Sequence, residues 1–186
     1  MALTTYSLSE TYRKLMEEFE QEAKQIPLNQ ICVKMKHAAV LVNNGKMVGQ
    51  IQVNQINISI VKAGSPLIRH ASKPNEGSVH AEANAVSRVF NRNSLLAPTT
   101  KRGRRSIARK NVGKAEGVLV ARFKQDCKGN YKLANSRPCS HCVETMRLSG
   151  IKFVIFSNEN GDWIKMTITQ LMNDPLVRPA KTFQYM

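Results

Sequence analysis

The chain has 186 residues, 42% of them hydrophobic, which suits one domain, 1–186, around one core and excludes fold-level disorder. No apolar run approaches the roughly 18–20 residues needed to span a bilayer, and Met1–Glu18 lacks the layout of a secretory signal. The expectation is an intracellular protein, cytoplasmic or nuclear, with no membrane partner. The formal net charge is +15, and residues 1–34 hold five Glu against four basic residues, so 24 basic and 8 acidic residues make up the rest. Such a field attracts polyanions without identifying them.

An N-terminal helix belongs in residues 1–30. Tyr12, Leu15, Met16, Phe19, Ala23 and Ile26 recur at helical spacing over 8–26, Ser7 with Glu10 fits a capping box, and Pro27 stops the run. His37–Val42 and Met47–Ile51 read as strands joined by the hairpin connection Asn43-Asn44-Gly45-Lys46, with the strand pattern continuing through Val53, Ile56, Ile58, Ile60 and Val61. Residues 63–77 read as loop. Ser78 can cap a helix from His80 to Phe90 that turns Ala81, Ala85, Val86 and Val89 to a core. Gly117–Phe123 reads as a strand, Asp126–Asn130 as a turn, and Tyr131–Leu133 can pair back. Cys139–Ser149 fits a helix stopped by Gly150. Ile151–Phe156 is an apolar strand, Asn158–Asp162 a turn, Trp163–Ile168 a strand, and Thr169–Met172 the start of a last helix. The order predicts a mixed α/β sheet covered by helices in three layers.

Two patterns carry chemistry, His80-Ala81-Glu82 and Pro138-Cys139-Ser140-His141-Cys142, and each opens a predicted helix directly after a loop. One imidazole and two thiolates make a three-ligand set suited to one zinc ion, with a fourth position left for water. Cys139 and Cys142 are three apart and can share one side of a first helical turn. His80 and Glu82 diverge on a regular helix flank and converge only on something beyond its N-terminus. A metal held between two helix N-termini meets that need, and both positive helix ends favour thiolates. Glu82 is then a base beside the metal, able to carry a proton from activated water. The competing structural reading is a closed site with His141 as fourth ligand; its place between the cysteines turns it away from the pair. Cys32 and Cys127 are isolated and read as buried free thiols.

With these residues the chain resembles the cytidine deaminase-like superfamily of zinc-dependent hydrolases. Val79-His80-Ala81-Glu82-Ala83-Asn84-Ala85-Val86 is similar to the metal motif of deoxycytidylate-type deaminases, and Ser136-Arg137-Pro138-Cys139-Ser140-His141-Cys142 to the second metal motif. The likeness spans roughly His37 to Ile168. It implies a three-layer α/β/α cytidine deaminase-like fold with a mixed sheet of about five strands, His80, Cys139 and Cys142 as zinc ligands, and Glu82 as the proton shuttle. The reaction implied is hydrolytic loss of the exocyclic amine of a nucleoside or nucleotide, at C4 of cytosine or C6 of a purine. The resemblance also implies a homo-oligomer, and Asn54, at a strand end, as a contact to sugar or base, with Asn57 as competitor. Ala81, Ser136 and Arg137 border the expected substrate pocket by their place in the motifs.

The chain departs from the family in two respects. His80 and Cys139 are 59 positions apart, longer than in many free-nucleotide members, and the excess is the basic insert 91–114. Asn158–Asp162 predicts that the last two strands are antiparallel, as in nucleoside-type members, whereas many polynucleotide-editing members have a helix there. Within the insert, Lys101, Arg102, Arg104 and Arg105 form a run fit for phosphates or nuclear import, and no Asp or Glu lies between Glu82 and Glu116. Phe90 is the one aromatic beside it, so any nucleic acid there would be held by its phosphates. Three readings stand: a deaminase of a cytosine nucleoside or nucleotide, an RNA or single-stranded DNA editing deaminase, and a basic structural or packaging protein built on a deaminase fold.

Overall fold

A computed structural model of the chain describes residues 9–26, 35–56, 78–89 and 115–178. The expected cap Ser7, the strand continuation beyond Ile56, the loop 63–77, Cys32 and the insert 91–114 lie outside the described residues.

The N-terminal helix, α1 (Glu10–Gln25), follows Ser9, whose side chain makes no capping bond, so the helix starts two residues later than the spacing predicts. Strands β1 (Met35–Asn43) and β2 (Lys46–Val53) form the expected antiparallel hairpin. Its two central residues, Asn44 at φ 48° and Gly45 at φ 71°, are both left-handed, as a twist-matched two-residue turn requires. Past Asn54 the chain pairs again, β3 (Gln55–Ile56) with β4 (Ser78–Val79). Ser78 therefore sits in a strand and not at a helix cap, and His80 is the residue that leads into α2 (Ala81–Val89).

Strand β5 (Gly117–Gln125) is the central strand, antiparallel to β1 along Met35–Val42. Its other edge is shared. Gly117–Val120 pairs in parallel with β7 (Phe153–Ser157), and Arg122–Gln125 pairs antiparallel with β6 (Tyr131–Ala134). Between β6 and β7 runs α3 (Ser140–Leu148), ended by Ser149 and a left-handed Gly150. β7 continues through the expected turn into antiparallel β8 (Trp163–Thr167), and α4 (Ile168–Met172) follows with a complete capping box of Thr167 and Gln170. The order across the sheet is β2-β1-β5-β7-β8, with β6 beside β5. The result is a mixed sheet of six strands and four helices among the described residues, one strand more than expected because β6 pairs back. None of the described helices is long and apolar enough to cross a membrane.

Strict alternation along the strands divides the core in two. One face carries Ala38, Val40, Val42, Leu119, Ala121, Phe123 and Ile155 against Leu15, Met16, Phe19 and Ala23 of α1. Burial of each large side chain there contributes about 1.5–3 kcal/mol. The other face carries Ala39, Leu41, Val118, Val120, Val154 and Phe156 against α2, α3 and α4. Tyr12 ties α1 to the sheet by donating to Glu116 Oε1 at 3.1 Å, and the same oxygen accepts the Asn44 amide at 2.9 Å. The end of α1 is closed by Lys36, only 1% exposed, whose Nζ donates to the carbonyls of Ala23, Lys24 and Ile26 at 3.1, 2.9 and 2.6 Å and lies over the Tyr131 ring. Burial pulls its ammonium below the ordinary lysine range.

Candidate metal centre

The parallel pair β5 and β7 positions the second motif. The Ser136 hydroxyl donates to Val120 O at 2.9 Å and accepts the Ser157 amide at 2.8 Å, which anchors the segment before α3 where the parallel pairing of β5 and β7 ends. Cys139 takes the N-cap position of α3, its carbonyl accepting the Val143 amide at 3.0 Å, and Cys142 follows within the first turn. His80 occupies the matching position on α2, its carbonyl accepting the Asn84 amide at 3.0 Å. The two helices pack on each other on the same sheet face. Their N-termini bring the three side chains together.

The ligand atoms of His80, Cys139 and Cys142 all lie within 4.8 Å of one another. Nδ1 of His80 is 3.5 Å from Cys139 Sγ and 3.3 Å from Cys142 Sγ. A tetrahedral zinc ion with ordinary bond lengths holds sulfur and nitrogen about 3.6 Å apart. The donor set and its spacing therefore fit one such ion, and the cluster can hold a metal. His141 is exposed and lies outside this cluster. Cys127, expected to be buried, is exposed, because the turn after β5 carries it off the sheet.

The electrostatics are those of a thiolate and an imidazolium. Cys139 is held well below the ordinary thiol range, first by the hydrogen bond from Cys142 and then by His80. His80 is pushed up to about 9, chiefly by its hydrogen bond with Cys139. Cys142, which donates its proton to Cys139, is pushed up. Glu82, 4% exposed in the first turn of α2, is pushed up by burial and hydrogen-bonds with Cys142. Glu82 therefore joins the cluster without adding a ligand atom to it.

The remaining expected site residues hold varied positions. Asn54 Oδ1 accepts the His37 amide at 3.0 Å, and its own amide donates to His37 O at 3.1 Å. It immediately precedes the β3–β4 ladder, whose first pair, Gln55 with Val79, ends one residue before His80. Ala81 is fully buried beneath the motif. Ser136 is 3% exposed, with its hydroxyl committed to Val120 and Ser157. Arg137 is paired with Asp174 and lies 4.9 Å over the Phe156 ring. Lys101, Arg102, Arg104 and Arg105 lie outside the described residues.

Two site residues were not anticipated. His37 and Arg122 are cross-strand partners on β1 and β5, on the face that carries the cluster. His37 is pulled down to about 4 by burial, with contributions from Arg122 and His80, so all three share one electrostatic environment. Neither residue stands in a motif, and their common face appears only once the register is known. Comparison of the chain with protein-family models and with curated proteins finds no match.

Proposed function

We propose that the protein is a zinc-dependent hydrolytic deaminase of a cytosine nucleoside or nucleotide, with the three-layer α/β/α cytidine deaminase-like fold that its motifs resemble. The observation that carries this reading is a three-donor cluster with a buried carboxylate against it. A closed structural site has no use for Glu82, because desolvating a carboxylate opposes folding. Zinc, when bound, would supply a Lewis acid that activates water near neutral pH.

The chain's own residues would do the rest. Glu82 takes a proton and returns it to the departing amine, a role that its raised affinity for protons suits. Asn54, oriented by its two hydrogen bonds with His37, is the residue that the resemblance would place on the sugar or base. The antiparallel β7–β8 pair favours a small substrate, because it resembles nucleoside-type members. The net charge of +15 favours the second reading, the same reaction on RNA or single-stranded DNA.

The test is ammonia release by zinc-loaded protein from cytidine, deoxycytidine, their monophosphates and short oligonucleotides, with Glu82→Ala as control. One bound zinc and turnover lost in the variant are expected. A protein that holds no zinc, or a variant as active as the parent, overturns the reading.

A further inference from the structure

The loop that presents Cys139 is tied on both sides to one short segment that follows α4. The Asp174 carboxylate is paired with the Arg137 guanidinium, two residues before Cys139. Their side chains are only 9% and 12% exposed, so water screens the pair little. Arg137 also lies over the Phe156 ring and meets Met166 Sδ at 3.8 Å. On the other side of Cys139, the Ser140 amide donates to Arg178 O at 3.1 Å. Val177, between Asp174 and Arg178 in the chain, packs on the same core cluster as Cys139.

Asp174 also shapes the segment to which it belongs. Its Oδ1 accepts the Leu176 amide at 2.8 Å, and its carbonyl accepts the Val177 amide at 3.0 Å. An aspartate that bonds the backbone two residues on closes a turn and sets the direction of the chain beyond it. One carboxylate thus spends Oδ2 on Arg137 and Oδ1 on the turn that leads to Arg178 and Ser140. Ser136 is held separately, by Val120 and Ser157. Zinc accepts donors only within about 0.2 Å of its bond lengths, and a loop ordered before the metal arrives loses less freedom on binding it.

We propose that Asp174 is a positioning residue for the metal centre, acting through Arg137 and through the turn that brings Arg178 to Ser140. The inference rests on the zinc reading of the cluster and not on the deaminase reaction. Asp174 is not among the donors of the cluster. Its effect is to hold the metal-free loop close to the arrangement that zinc requires, so zinc affinity depends on a segment 35 positions beyond Cys139.

The experiment measures the zinc dissociation constant of the full chain by competition with a chromophoric chelator, with metal-free thermal unfolding alongside. Asp174→Asn should weaken zinc binding about 10- to 100-fold, the usual effect of removing support around a metal ligand. Arg137→Met should also weaken it, and adding Arg137→Met to Asp174→Asn should cost little more, because both act through one pair. Lys36→Met is the control, since it loosens the end of α1 on the opposite face of the sheet. Its zinc affinity should stay within about threefold of the parent. Zinc held by Asp174→Asn as tightly as by the parent overturns the positioning role alone. So does a Lys36→Met protein that loses zinc as strongly as Asp174→Asn, because the effect is then one of general stability. If Asp174→Asn does not fold without metal, Arg137→Met decides; failure of both to fold overturns the proposal, the pair then being part of the fold. A folded parent that binds no zinc overturns the zinc reading and this inference with it.

Discussion

Replacing Glu82 by Gln separates proton transfer from structure. The side chain is 4% exposed, and Gln keeps its shape and loses its charge. A positioned general base contributes about 10²–10⁴ in rate, equivalent to roughly 3–5 kcal/mol of barrier, so ammonia release should fall by that factor. Stability should move the other way. Burial raises the Glu82 pKa above its ordinary 4.5, so the folded metal-free protein holds this proton more tightly than the unfolded chain does. Its contribution to stability is present below 4.5 and is lost as pH rises through the folded value. Gln carries no such loss. Metal-free Glu82→Gln should therefore equal or exceed the parent in thermal stability, and the gap should widen as pH rises past 4.5. The assays are ammonia release at saturating substrate and thermal unfolding after chelation. A variant within about threefold of parent activity refutes the role of Glu82 as proton carrier, and one clearly less stable than the metal-free parent refutes the cost assigned to burying its carboxylate.

Zinc uptake at neutral pH should release about two protons per ion, one from His80, whose pKa stands at about 9, and one from the Cys142 thiol. Calorimetry in buffers of different ionisation enthalpy reads the number directly, and uptake without proton release refutes the ligand set. Lys36→Met should cost about 1–3 kcal/mol, because three carbonyls at the end of α1 lose their donor. A fall in the urea midpoint checks it, and an unchanged midpoint shows that the ammonium is no cap. Gly117→Ala would place a methyl 2.7 Å from Phe153 Cδ2 and should cost about 1–3 kcal/mol by overpacking. Adding Phe153→Leu should recover part of that cost; strictly additive losses would show that the two residues do not meet.

Much of the fold was legible because local chemistry agreed with tertiary demand. Asn44-Gly45 dictated a hairpin since both residues tolerate positive φ, and the structure uses both that way. The apolar stripe of α1 appears as Leu15, Met16, Phe19 and Ala23, all buried. Ser78 misled because a Ser before a helical pattern resembles a cap, yet it pairs with Ile56, where the strand pattern was legible, in a ladder that Ser78-Val79 alone does not announce. Cys127 misled because an isolated thiol is usually buried, while this one falls in a turn set by Asp126 and Gly129. Arg137 stands beside a metal motif, but its charge is answered by Asp174, a residue 37 positions away.

The candidate metal donors and the carboxylate beside them are a matter of local spacing. His80 and Glu82 are two apart, Cys139 and Cys142 three apart, and a helix N-terminus is enough to orient each pair, so the sequence alone carries that much. Meeting of the two pairs across 59 positions depends on α2 and α3 packing on one face of one sheet. The alignment of Arg122 with His37, and of His37 with Asn54, depends on strand register, which a slip of one residue would turn to the opposite face. Chemistry confined to a helical turn is written in neighbouring residues; chemistry assembled across strands exists only where hydrogen-bonded registers bring distant residues into line.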